Sequence, residues 1–205
     1  MKYFIADTHF NHKKVVFGMH RRNQVGYFQT VEEHDEALLA SINNLVGKKD
    51  QLYVLGDFGF KPSYYKSKIN CKHVTLIRGN HDKHEVSTHA FGSYKDIVKV
   101  KLMNGVRCVL CHYPMIYWEG SHHGTYHLYG HCHGNRERHL NLFFPERRSL
   151  DITVDNLYNY LGLFGPISEG EIIYLLDRRK GHDDLTWYKK LQKERDEKHR
   201  NNTQG

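Results

Sequence analysis

The sequence predicts an α/β protein, and three observations carry that prediction. Short, nearly continuous apolar runs recur along the chain, each closed by a polar residue or a glycine. Segments with helix-capping residues and apolar positions at helical spacing lie among them. The composition is that of a folded globule, 39% hydrophobic, 26% charged and 13% aromatic over 205 residues, which excludes a disordered or fibrous chain. A chain of this length buries roughly 70% of its unfolded surface and needs neither disulfides nor a structural metal to fold.

The runs 2–6 (KYFIA), 51–55 (QLYVL), 73–78 (HVTLIR) and 106–111 (VRCVLC) read as buried strands. They end at Asp7, Gly56, Gly79 and His112. Residues 97–102, 126–129 and 149–154 are further strands, and Asn104-Gly105 between two of the runs predicts a hairpin. Thr30 and Glu33 open a helix as a capping box; Val31, Leu38, Ile42 and Leu45 follow at helical spacing, and Gly47 lies just past the end. Pro62 opens a shorter helix. Ser168 and Glu171 form a second capping box before Ile172, Ile173, Leu175 and Leu176. Leu185, Tyr188 and Leu191 begin a third helix that then loses its apolar face; residues 189–200 carry mixed charges, and 201–205 read as a frayed tail. No repeat or linker divides the chain, so one domain over residues 1–200 is expected.

Lys+Arg number 30 and Asp+Glu 23, giving a formal net charge of +7. That balance suits an anionic substrate or loose contact with nucleic acid. None of the four cysteines forms a metal-binding pair: Cys108 and Cys111 have the spacing but lie within a strand. No leader-like segment precedes Tyr3, and no apolar run approaches the roughly 18 residues of a membrane span. The expectation is a cytoplasmic protein with free thiols, no membrane and no obligate protein partner. The unusual number is histidine, at 17.

What distinguishes the chain is what stands at its strand ends. Asp7-Thr8-His9 follows the first strand, Gly56-Asp57 the second, Gly79-Asn80-His81-Asp82 the third and His112 the fourth; Gly130-His131-Cys132-His133 follows residues 126–129. A single strand-end Asp is more often a turn former than a ligand, but five such sites in succession exceed what turn chemistry explains. In α/β sheets, ligands bind outside the carboxyl ends of the strands. Carboxylate and amide oxygens with imidazole nitrogens suit Mn, Fe, Zn, Ni or Co. The absence of a thiolate cluster argues against structural zinc.

These blocks, DxH, GD, GNHD, H and GHxH in order over residues 7–133, resemble the signature of the calcineurin-like metallophosphoesterases. Asp35-Glu36-Ala37-Leu38, and residues 151–155 followed by 166–172, are similar to the small prokaryotic and phage-type members. The resemblance implies a four-layer α-β-β-α sandwich of two mixed sheets without a cap domain. It implies that Asp7, His9 and His133 hold one divalent transition metal ion and Asn80, His112 and His131 a second, with Asp57 bridging. Manganese is the first expectation, with Fe, Zn, Ni or Co as alternatives. His81 would lie over the substrate and Asp82 would orient it. The implied activity is hydrolysis of phosphate esters by in-line attack of a metal-bridging hydroxide. Asp rather than Glu at position 82, and the missing cap, tilt the reading to phosphodiesters, nucleotides or nucleic acid among them. A phosphomonoesterase is the alternative within enzymes; a nucleic-acid-binding protein or an inactive scaffold is the alternative outside them.

Beyond the blocks, His12 stands three residues after His9 and is a candidate substrate contact, as are Arg136 and Tyr113. Arg21, Arg22 and Arg138 read as phosphate forks or solvated charges. Tyr117 and Trp118 read as stacking or loop-packing residues. His122 and His123 are loop residues, and Cys132 is a packing residue.

Overall fold

The protein is described from a computed structural model, which covers residues 1–18, 21, 28–92 and 94–178. Arg22, the helix expected from Leu185, the charged segment 189–200 and the tail 201–205 lie outside the described residues. In chain order the elements are β1 (Lys2–Ile5), α1 (Lys13–Val16), α2 (Val31–Leu45), β2 (Gln51–Leu55), α3 (Pro62–Ser67), β3 (His73–Ile77), α4 (His84–Phe91), β4 (Ile97–Lys101), β5 (Arg107–Cys111), β6 (Tyr126–Tyr129), α5 (Glu137–Phe143), β7 (Ser149–Asp151), α6 (Val154–Leu161), β8 (Ile167–Ser168) and α7 (Glu169–Asp177).

The strands form two mixed sheets of four, in the orders β3-β2-β1-β8 and β4-β5-β6-β7. β1, β2 and β3 run parallel with β8 antiparallel at the edge. β5, β6 and β7 run parallel with β4 antiparallel, joined to β5 by the expected Asn104-Gly105 hairpin. The two-residue alternation of a strand sorts the side chains. Phe4, Ala6, Leu55 and Ile77 of the first sheet meet Cys108, Leu110, Tyr126 and Leu128 of the second in one core, which α6 and α7 complete through Leu157, Leu161, Ile172, Leu175 and Leu176. Ile5, Leu52, Val54 and Leu76 point the other way, onto Leu38, Leu39 and Ile42 of α2. On the far side of the second sheet, Val109, Cys111, His127 and Tyr129 are buried beneath Trp118, Arg147 and α5. The layers are therefore the α-β-β-α sandwich expected.

Several boundaries differ from expectation, each for a local reason. The run 149–154 splits, because the Thr153 hydroxyl accepts the Asn156 N–H and caps α6. Leu45 is partly exposed, and Leu39 and Val46 take its place in the core. At α2 the box is half formed: Thr30 accepts from Glu33 N, but the Glu33 carboxylate takes the Gln29 N–H. The Ser168/Glu171 box is complete. β8 is too short to show a period.

His127 locks the outer layer to the sheet. Its Nδ1 faces Val109 O at 3.0 Å, and its Nε2 accepts from Met115 N at 3.2 Å. A carbonyl only accepts and an amide only donates, so the ring is neutral with its proton on Nδ1. Burial holds its pKa down at about 4. Between about pH 6.5 and 4 the unfolded chain therefore takes up a proton that the native state refuses, and stability falls as pH falls. Replacing His127 by Asn should flatten this slope by about one proton, roughly 1.4 kcal/mol per pH unit. Urea denaturation of both proteins across that window measures it.

Candidate metal centre

The parallel strands of both sheets deliver their carboxyl ends to one place, and the backbone there is bent unusually. Of the seven non-glycine residues with positive φ among the described residues, five are expected ligands: Asp7, His9, Asp57, His131 and His133. Left-handed backbone is costly for residues with a Cβ and persists where surrounding structure over-determines it. Here the loops after β1 and β2 hold each other. Asp7, His9 and Phe10 N–H donate to the carbonyls of Gly56, Asp57 and Phe58. Two motif glycines make room for ligands. A Cβ on Gly79 would lie 2.3 Å from Asp57 Oδ1, and one on Gly130 would lie 2.3 Å from Asp7 Oδ2.

Each carboxylate is split between backbone and site. Asp7 Oδ2 accepts the His131 N–H at 2.8 Å, so Oδ1 is left to face His9 Nε2 at 3.5 Å and His133 Nε2 at 3.3 Å. Asp57 Oδ1 accepts the His81 N–H at 2.8 Å, so Oδ2 faces His9 Nε2 at 3.8 Å and His112 Nε2 at 3.7 Å. Asn80 Oδ1 lies 3.0 Å from His112 Nε2 and 2.9 Å from His131 Nδ1. All seven expected ligands are brought together. Two groups have metal-holding geometry, Asp7/His9/His133 and Asp7/Asp57/His112.

The donor set fits a metal. Asp7 Oδ1 and both ring nitrogens of His9 are buried without a hydrogen-bond partner, an arrangement that wastes polar atoms unless a cation takes them. His112 Nδ1 faces Leu55 O at 2.8 Å and so carries its proton there, which leaves Nε2 bare toward the site. Burial pushes the Asp7 carboxyl up, but His9, His133 and His112 around it outweigh burial and hold it below its usual value. Burial lowers His9, against the pull of Asp7, and burial with His112 lowers His131. Neutral imidazoles and an ionised carboxylate are the forms that ligate.

Behind the ligands stands a buried network that the sequence did not disclose. His133 Nδ1 meets Asp155 Oδ2 at 2.6 Å, and Arg21 grips the same carboxylate at 3.2 and 2.9 Å. The Arg21 guanidinium also donates to Asp7 O and Thr8 O and reaches His34 Nε2. His34 Nδ1 in turn faces Asp35, whose other oxygen accepts the Asn11 N–H at 2.8 Å. Arg21 is thus neither a phosphate fork nor a solvated charge: it is fully buried. Burial raises Asp155, but Arg21 and His133 outweigh it and hold the carboxyl well below the usual range.

The role expected for Asp82 also needs correction. Its carboxylate accepts the N–H groups of Asp57, Phe58 and Gly79 at 2.8–3.0 Å rather than orienting the His81 ring. Three amides outcompete one imidazole because the loops after β2 and β3 would otherwise bury those donors unpaired. The His81 ring stands at the rim, half exposed, with Nε2 4.0 Å from Asp57 Oδ2.

His12 and Tyr113 are brought to the site. The His12 ring lies 5.2 Å from that of His9 and 5.6 Å from that of His81. Tyr113 meets the His112 and His131 rings at 5.0 and 4.9 Å and stays exposed. Arg136 is not brought in: it is exposed before α5, and no hydrogen bond or ion pair joins it to the ligands among the described residues. Trp118 is buried and donates to Thr125 O, so it packs the loop, while Tyr117 is exposed. His122 and His123 lie in an exposed 3-10 turn. Cys132 is half-buried between its two histidines, and burial pushes its thiol up to about 12.

No protein-family model matches the chain. It is 30% identical over 183 residues to the uncharacterized protein MJ1445 of Methanocaldococcus jannaschii, covering 87% of this chain and 92% of that one. Its fold is similar to the crystal structure of AQ665, a protein of unknown function from Aquifex aeolicus, with a TM-score of 0.63 and 25% identity over 85% of this chain and 98% of that one. A looser likeness, at TM-score 0.40 and 18% identity over 64% of this chain and 69% of that one, is to YfcE, a phosphoesterase from E. coli. The five motif blocks converge in order on one site fed by two sheets. The chain belongs to one family with MJ1445, and its motif blocks resemble those of the calcineurin-like metallophosphoesterases. Its two mixed four-stranded sheets give the fold shared with AQ665, and its Asp/His clusters could hold metal ions.

Replacing Asp155 by Asn should weaken Mn(II) binding about 10–100-fold in a calorimetric titration, because the His133 ring loses its anchor. It should also cost about 3–5 kcal/mol of stability, because Arg21 is left buried without its counter-charge. The double variant Arg21→Met/Asp155→Asn should regain stability without regaining metal affinity.

Proposed function

We propose that this chain is a dinuclear, metal-dependent hydrolase of phosphate esters that prefers diesters. The observation that carries the reading is the position of Asp57 Oδ2, which faces His9 on one side and His112 on the other at 3.8 and 3.7 Å. One carboxylate oxygen between two sets of bare imidazole nitrogens fits a pair of ions about 3.5–4 Å apart. Asp7, His9 and His133 would hold one, Asn80, His112 and His131 the other, and Asp57 both. Oxygen and nitrogen donors without thiolate suit Mn first, with Fe, Zn, Ni or Co as alternatives. Such ions, when bound, neutralise phosphate charge and bring the pKa of water near neutrality.

The chain's own groups supply the rest. The backbone N–H of His81 fixes Asp57 Oδ1, and its exposed ring stands beside Asp57 Oδ2. As the bond from phosphorus to the leaving oxygen breaks, that ring is placed to give the oxygen a proton. His12 and Tyr113 wall two sides of the opening. The exposure of His81 and Tyr113 leaves room for a second ester substituent. Among the described residues no helix is long and apolar enough to cross a membrane. The thiols of Cys71, Cys108, Cys111 and Cys132 are free, which fits a reducing compartment, and the proposal places the protein in the cytoplasm.

Metal-stripped protein given back Mn, Fe, Ni, Zn or Mg should hydrolyse bis-p-nitrophenyl phosphate faster than p-nitrophenyl phosphate. Replacing Asp57 by Asn should reduce this to background while circular dichroism stays unchanged. Turnover of the monoester alone would make the protein a phosphomonoesterase. Salt-sensitive nucleic-acid binding without turnover would make it a binding protein. No turnover with any metal would make it a scaffold, and undiminished turnover in the Asp57 variant would sink the dinuclear reading.

A further inference from the structure

Beside the metal centre the chain displays an aromatic edge that its own packing does not consume. His12 spends Nδ1 on the Val15 N–H, and its ring lies flat on Phe60, centroids 4.8 Å apart and planes 13° apart. The same His12 ring meets His81 edge-on at 5.6 Å, so Phe60 continues a line of rings that starts at the reactive centre. Phe60 is 47% exposed, and Tyr64, in the first turn of α3, is 54% exposed. Next to Phe60 opens a groove of ≈ 600 Å³ lined by Asn11, Glu32, Lys61, Tyr64 and Tyr65. That volume lies within the roughly 300–1,000 Å³ typical of small-molecule sites.

One cation, Lys61, and one acid, Glu32, line the groove, and a second cation, Lys68, lies beside it. Lys61 stands at its lip in left-handed backbone, φ 54°, with no ion-pair partner among the described residues. Lys68 lies over the Tyr64 ring at 4.8 Å. Flat, exposed rings interleaved with ammonium groups suit nucleobases joined by phosphates, because every base has a face to stack and every linkage a negative charge. The net charge of +7 favours the same ligand. An acidic peptide would use the lysines but leave the ring faces bare, and an apolar chain would leave Lys61 facing it unpaired.

We propose that the groove lined by Lys61 and Tyr64, together with the exposed Phe60 ring beside it, binds the nucleoside side of the substrate, so that the ester cleaved beside it is a diester of single-stranded nucleic acid. The inference rests on the phosphoesterase reading, and its test separates the two. First, kcat/KM for p-nitrophenyl thymidine-5′-phosphate is compared with that for bis-p-nitrophenyl phosphate, since both release p-nitrophenolate. The thymidine ester should be preferred, and Phe60→Ala, Tyr64→Ala and Lys61→Gln should each lower the ratio of the two constants about fivefold or more. Phe60→Trp and Tyr64→Phe should restore it, which separates stacking from disturbed folding.

Second, fluorescein-labelled oligothymidylate is titrated with the full chain in the presence of a chelator and followed by anisotropy. Phe60→Ala and Tyr64→Ala should weaken binding about fivefold or more, and Lys61→Gln should reduce the slope of log K against log salt by about one. Variants that match the wild type in both measurements overturn the groove and leave the phosphoesterase standing. Ring-dependent binding without hydrolysis of any ester overturns the phosphoesterase reading and keeps the groove as a nucleic-acid site. Absence of oligothymidylate binding by the wild type overturns the groove outright.

Discussion

Asp7 is a carboxylate with no exposure to solvent, placed where the two sheets meet. One oxygen accepts the N–H of His131, which follows β6 in the second sheet, while the residue itself terminates β1 in the first. The other oxygen has no hydrogen-bond partner. A buried carboxylate so poorly satisfied costs several kcal/mol unless something positive answers it. The surrounding imidazoles answer it in part, and the geometry answers it best when a cation sits among them. Much else follows from keeping that carboxylate in place. Gly130 must lack a Cβ, the β1 loop must turn left-handed, and Arg21 must hold the Asp7 and Thr8 carbonyls from behind.

The strain at Asp7, His9, Asp57, His131 and His133 is tolerated because each bent loop borrows hydrogen bonds from another. The loop after β1 lies on the loop after β2, and the Asp82 carboxylate clamps the loops after β2 and β3 together. Burial raises the pKa of Asp82, so acid protonates and weakens this clamp above the ordinary carboxylate range. Single ligands are therefore not independent of one another. A change that frees one loop loosens the seat of a ligand on the next, and effects of substitutions around the site will be non-additive.

The candidate ligands were legible in the sequence because each sits within four residues past an apolar run, and because Asp, Asn and His recur there in a fixed order. The sheets were legible because buried strands are continuous in hydrophobicity. The supporting network was not. Arg21 and Asp155 lie 134 residues apart, and nothing local distinguishes a buried arginine from a solvated one. His34 and Asp35 fall on the buried side of α2, where the helical period reserves places for apolar residues. That departure from pattern was the one available signal. The resemblance paired Asp82 with the His81 ring, whereas the turn of the loop carries its side chain to the backbone amides of Asp57, Phe58 and Gly79. β8 and the shorter helices carry too few residues for a period to emerge.

Two layers of polar residues can thus be separated by where they originate. The ligands come from the carboxyl ends of β1, β2, β3, β5 and β6, and face the opening. Asp155, Arg21, His34 and Asp35 come from α6, the loop after α1, and α2, and face away from it. The inner layer is only partly idle without a cation: Asp7 Oδ1 and the His9 nitrogens lack partners, while Asp7 Oδ2, Asp57 Oδ1 and His112 Nδ1 also hold backbone. In the outer layer a buried guanidinium and its carboxylate depend on each other. Asp57 joins the two layers' logic at one point: one oxygen fixes the His81 backbone, and the other lies between His9 and His112.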